Sequence, residues 1–209
     1  MTLVPYPSEA TLREARRTYF DANGFGDDGG YSAAWVDFKL GSLPFPFPNT
    51  AGRVRAVRYH DLNHVLTGYD TDLAGEYEIS AWEVASGCRD FAAAWQLNLA
   101  GMAGGMLYVP RRTFRAFVRG RRCRSLYGEP FDDLLDLRVG EARARFLGPD
   151  PSVPATLGDR LHFVAAAGAA WVVGLLMLAV MLPLVPVGLL WMAWHARRAT
   201  GRNVDGRRE

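Results

Sequence analysis

Cysteine is scarce in this 209-residue chain, with only Cys88 and Cys123, and neither sits in a C-x-x-C pair. That count excludes a disulfide-stapled scaffold and fits two reduced thiols in a cytosolic setting. Lysine is scarcer still: Lys39 is the only one, and every other base is arginine. No excess of positive charge marks the first 162 residues, where 19 bases against 20 acids give −1. Such a balance excludes a nucleic-acid-binding body. The net +2 of the whole chain comes from its end, where residues 195–209 carry five arginines against two acids. Internal repeats and low-complexity tracts are lacking. Met1–Pro7 has neither a basic stretch nor an apolar one and does not read as a signal peptide.

Histidine is also rare, with four in all, yet two of them fall four positions apart in Tyr59-His60-Asp61-Leu62-Asn63-His64. On a helix that spacing sets both imidazoles on one face, about 5–6 Å apart at Cβ. A second carboxylate, Glu76, follows after eleven residues, across a connection with Gly68 at one end and Gly75 at the other. A helical hairpin of this kind brings two imidazoles and one or two carboxylates together, a donor set suited to zinc or another divalent first-row ion. The zinc-protease pattern H-E-x-x-H places a glutamate after its first histidine as general base. Here that position is Asp61, one methylene shorter, which suits a ligand or an orienting group better than a base.

Around this pair the pattern is helical. Ser8 and Glu9 suggest a cap for a first helix ending at Asn23-Gly24, and Tyr31–Leu40 reads as a short helix with Trp35 and Phe38 toward the core. Leu43–Pro48, with proline at alternate positions, must be extended, either as a linker on the body or as a lip presenting Phe45 and Phe47. Thr50 caps a helix over 51–66, and Asp72 caps one over 73–86 that carries Glu76 in its first turn. A Gly- and Ala-rich apolar helix follows over 88–107, and the last helix of the body covers 131–146. Between them seven arginines lie within fourteen positions of Arg111–Arg124. They form either a surface for anionic headgroups or a face neutralised by Glu129, Asp132, Asp133, Asp136 and Glu141.

The pattern His60-Asp61-x-x-His64, eleven residues, Glu76 resembles the signature of the fourth coenzyme Q (ubiquinone) biosynthesis protein family. The resemblance is strong from Arg53 to Glu83 and looser over 9–147, and it does not reach the C-terminal segment. It implies an all-helical, lipid-binding protein with His60, Asp61, His64 and Glu76 as metal ligands, zinc ahead of iron or manganese. It also implies work on a polyprenylated hydroxybenzoate-type precursor of ubiquinone, with oxidative removal of the ring C1 carboxylate as the activity. No catalytic side chain is fixed by the motif.

From Phe163 to Trp194 there are 32 positions without a charge, against the ~20 that cross a hydrocarbon core. Pro183 and Pro186 interrupt the run, so it is one kinked span or a re-entrant hairpin. The arginines at 197, 198, 202, 207 and 208 mark a cytoplasmic flank. The expected organisation is a mainly α bundle over 1–147, a Pro/Gly linker over 148–161, a membrane anchor over 162–196 and a basic tail over 197–209. The functional expectation is a lyase of ubiquinone biosynthesis on the cytoplasmic side of a bacterial inner membrane. Its partners would be membrane lipid, the prenylated precursor, other proteins of the route or a second copy of itself. A prenyl-lipid-binding scaffold with a structural metal and a metal-dependent hydrolase are the rival readings.

Overall fold

The computed structural model describes residues 6–40, 43–148, 154–183, 186 and 189–190, with backbone alone for 37–40 and 43–46. In chain order the elements are α1 Leu12–Asn23, β1 Trp35–Leu40, β2 Leu43–Pro48, α2 Ala51–Thr67, α3 Leu73–Ser86, α4 Ala92–Tyr108, α5 Pro110–Gly120, α6 Phe131–Asp136, α7 Val139–Phe146 and α8 Leu157–Met181. The protein is mainly helical, with a C-terminal apolar helix, as the patterning implies. Its packing divides into two units, residues 1–32 with 50–175, and residues 33–49 with 176–209.

α1 begins at Thr11 and not at Ser8. Thr11 and Glu14 form a reciprocal box: the threonine hydroxyl accepts the Glu14 N–H, and the glutamate accepts the Thr11 N–H at 2.8 Å. The helix expected over 31–40 is instead strand β1, paired antiparallel with β2 so that Trp35, Asp37 and Lys39 face Pro48, Pro46 and Pro44. Prolines at period two all lack the N–H on one side of the strand, so β2 pairs through its other side and remains an edge. Trp35 is 55% exposed and is not a core residue. The side chains of Phe38 and Phe45 lie outside the described residues. The final body helix breaks between α6 and α7 because its backbone is taken by α1: the Leu12 N–H donates to Leu137 O at 2.8 Å and the Val139 N–H to Ala10 O at 2.8 Å.

Two apolar clusters fill the first unit. One gathers Leu12, Tyr19 and Phe20 of α1, Leu62 and Leu66 of α2, Tyr127, and residues of α6 and α7. The other gathers Trp82 of α3, Met102 and Ala103 of α4, Phe117 of α5 and Ala170 of α8. α2 belongs to the first and α3 to the second. The join between them is polar, which is where the histidines lie.

Residues 162–175 of the segment expected as a membrane anchor, with the end of the expected linker before them, share a unit with the body. Asp159 accepts from Arg121 at 2.9 Å, and the Phe163 ring lies 5.0 Å from Phe114 and 5.3 Å from Phe117. α8 is long and apolar enough to cross a membrane.

Candidate metal centre

Every residue from Asp61 to Thr67 is buried, so the last two turns of α2 are enclosed on all sides, polar residues included. The helix ends at Gly68, whose φ of 74° caps it in the left-handed conformation. The chain then doubles back to α3 through Asp72, whose carboxylate accepts the Gly75 N–H at 2.7 Å. A Cβ on Gly75 would fall 2.1 Å from Asp70 O, so only glycine permits this return. It sets Glu76, the next residue, opposite the two histidines.

His60 Nε2 and His64 Nε2 are 3.1 Å apart. Glu76 Oε2 lies 3.3 Å from the first and Oε1 3.4 Å from the second. The other nitrogen of each ring is already engaged. His64 Nδ1 meets the Tyr69 carbonyl at 2.9 Å. A carbonyl only accepts, so that nitrogen carries the proton and Nε2 presents a lone pair. His60 Nδ1 meets Glu83 Oε1 at 2.9 Å. Glu83 is fully buried and accepts further bonds from Asn63 at 2.9 Å, from Tyr127 at 2.7 Å and from Asn98. Four donors aimed at one carboxylate keep it ionised, and in turn it keeps His60 protonated on Nδ1. Three acceptors therefore converge on one point, an arrangement that requires a cation or a proton between them.

A divalent ion fits the trio. Tetrahedral bonds of about 2.0–2.1 Å imply donor–donor edges of about 3.3–3.4 Å, and the three observed edges are 3.1, 3.3 and 3.4 Å. Each histidine also has the hydrogen-bonded outer partner that metal-binding imidazoles need. His60, His64 and Glu76 are thus able to hold a metal ion, whose identity the geometry leaves open.

Asp61, the fourth residue of the sequence pattern, lies beside the trio and not among its converging donors. Its Oδ2 accepts the Tyr31 hydroxyl at 2.5 Å. Burial lifts its carboxyl to about 6, against the opposing pull of that hydrogen bond and of both histidines. Burial alone would depress the His60 imidazole, but the charge of Glu83 and the hydrogen bonds and charge of both glutamates outweigh it and raise the group well above its ordinary value. Glu76 shows the counterpart: burial favours its neutral form, yet the two histidines hold it well below the usual carboxylate range.

The hydrolase reading needs a base near the metal that is not a ligand, and the nearby glutamates are engaged: Glu78 pairs with Arg112 at 2.5 Å and Glu83 with His60. Sequence reasoning missed Glu83 as the orienting group, although its position seven residues after Glu76 sets both on one face of α3. It also missed Tyr19, which stacks on His64 with centroids 5.5 Å apart, and Tyr31. Neither carries a local signal, because both come from residues distant in the chain. No protein-family model, curated protein or solved structure matches this chain.

Proposed function

We propose that this protein is a membrane-attached, metal-dependent enzyme of ubiquinone biosynthesis that oxidatively removes the C1 carboxylate of a polyprenylated hydroxybenzoate, the carboxylate leaving as carbon dioxide and an external two-electron oxidant of the dioxygen class taking up the electrons. The observation that carries the metal-dependent part is the convergence of three donors at tetrahedral spacing, with the fourth residue of the pattern, Asp61, tied to Tyr31. Three protein ligands leave a coordination position for substrate, whereas a structural site is closed by four. This favours catalysis over the scaffold reading. The route and substrate class rest on the resemblance of residues 53–83 to the ubiquinone-biosynthesis signature.

A divalent ion on His60, His64 and Glu76 would supply Lewis acidity toward the ring carboxylate or a neighbouring phenolic oxygen. The chain's own residues do the positioning. Glu83 and the Tyr69 carbonyl fix both imidazoles by their Nδ1 protons, and Tyr19 covers one face of His64. Tyr31 holds the Asp61 carboxylate in place by its hydroxyl. The apolar helix α8 attaches the protein to the membrane in which a prenylated substrate resides, with the body on the cytoplasmic side of a bacterial inner membrane.

Deletion of the gene in the source organism, followed by mass spectrometry of quinone intermediates, tests this reading. Loss of ubiquinone with accumulation of a prenylated aromatic acid is expected, restored by the wild-type gene but not by Glu76→Gln at equal abundance. Unchanged ubiquinone in the deletion strain would overturn it, and restoration by Glu76→Gln would remove the metal from the chemistry.

A further inference from the structure

α8 is apolar enough to cross a bilayer, yet only part of it is free to do so. Phe163, Ala166, Ala167 and Ala170 pack against the cluster built by α3, α4 and α5. Farther along, a Cβ on Gly174 would lie 3.0 Å from the Ala103 Cβ of α4. From the Asp159–Arg121 ion pair to Gly174 the helix therefore stays against the body for about 22 Å. The residues on its other side, Leu161, Val164, Trp171, Val172 and Leu175, are exposed.

An upright crossing that entered hydrocarbon at Phe163 would drag the body in with it. α5 passes Asp159 with Arg121, and Phe163 with Phe117 and Phe114. Phe114, one turn before Phe117, meets the same Phe163 and also Arg160, so α5 crosses α8 near its start, and Arg115, Arg112 and Arg111 lie on α5 around and beyond that crossing. All three are exposed, and a guanidinium is among the costliest groups to place at mid-bilayer. Arg111 and Arg115 make no ion pair among the described residues, and Arg160, on α8 itself, reaches only over the Phe114 ring. Of the acids that follow the arginine run, Glu129 pairs with Arg145, Asp136 with Arg13, and Glu141 accepts the Arg138 N–H, and none forms an ion pair with Arg111 or Arg115 among the described residues. An exposed apolar strip bordered by unneutralised arginines matches the interface of an anionic bilayer, with phosphates at the rim and acyl chains below.

We infer that residues 157–175 of α8 lie in the plane of the membrane, as a body-clamped platform seated on anionic lipid, and that any crossing begins after Leu175. The inference rests on the membrane part of the proposed function and not on the metal. The uncharged positions that remain, Leu176–Trp194, number 19, close to the ~20 a crossing requires. The platform holds the body at a fixed height. α3, which carries Glu76, packs on α4, and α4 packs on α8, so the metal centre stands one helix away from the lipid-facing element.

The test places spin labels on the full chain in vesicles of phosphatidylcholine with phosphatidylglycerol. Leu161→Cys, Val164→Cys, Val172→Cys and Leu175→Cys are labelled one at a time in a Cys123→Ser background, since Cys88 is buried. The four labels are expected at one shallow depth, about 5–10 Å below the phosphates. Arg111→Glu with Arg115→Glu should raise aqueous access at the 161 label several-fold, and more so with phosphatidylglycerol than with phosphatidylcholine alone. Depths that increase by about 21 Å from 161 to 175 would show an upright crossing and overturn the inference while leaving the membrane reading intact. Protein recovered wholly in solution would overturn both. Labels shielded from water and from lipid, with spin–spin broadening, would show a second copy on this face and would also overturn it.

Discussion

His60 stands between two carboxylates, with Glu83 at one ring nitrogen and Glu76 at the other. In the metal-free protein that environment favours the imidazolium. The sign of the resulting pH dependence follows from linkage. A histidine whose folded value is raised adds stability that is complete below its unfolded value of about 6.5 and is lost as pH climbs through the higher folded value. Asp61 acts in a lower window: with its carboxyl raised from 3.8 to about 6, ionisation costs stability between those values and nothing further above them. Above pH 6.5 the metal-free melting temperature is therefore expected to fall with pH, through His60. A divalent ion displaces the same proton, so the increase in melting temperature on adding zinc should grow between pH 6.5 and 8.5. Thermal denaturation with and without zinc across that range checks this. A zinc effect independent of pH would contradict the assignment of His60 as the proton's holder and the metal's ligand.

At the scale of elements, the helix pair that carries the site was legible because its punctuation is local. Thr50 and Asp72 cap α2 and α3, and Gly68 ends α2, as the spacing implies. The hairpin was not legible from its prolines alone. The overlooked signal is the alternation of Val36, Phe38 and Leu40 with Asp37 and Lys39, a period of two that marks a strand. The break between α6 and α7 had no local signal at all, since α1 imposes it through backbone hydrogen bonds. Three of the four proposed ligands come together as their spacing implies, but the place of Asp61 depends on Tyr31, thirty residues away in sequence. The return between α2 and α3 should be the element least tolerant of added volume. Gly75→Ala forces a methyl onto Asp70 O and should destabilise the fold by about 1–3 kcal/mol. It should also weaken zinc binding, because Glu76 is the next residue. Chemical denaturation and a zinc titration would check both effects; wild-type values in the two measurements would show that the return does not position the site.

For the whole molecule, α8 packs with the body as far as Leu175, past the Pro/Gly boundary. A chain ending at Asp159 loses Phe163 from beside Phe114 and Phe117 and uncovers the cluster that holds Ala170. Relative to a chain ending at Leu175 it should aggregate, or melt about 5 °C or more lower, given ~2–3 kcal/mol for a buried large apolar side chain and ~2–4 °C per kcal/mol. Equal solubility and melting of the two truncations would restore the simple picture of a complete bundle with a detachable anchor. The metal centre is the feature on which the functional reading depends. Zinc-edge X-ray absorption combined with elemental analysis of the purified full-length protein tests it directly. The expected result is one ion per chain, with two imidazole nitrogens at about 2.0–2.1 Å and a carboxylate oxygen, and loss of that ion in His64→Ala. Equal stoichiometric metal in wild type and His64→Ala, or an ion with no imidazole nitrogen bound to it, would contradict the account.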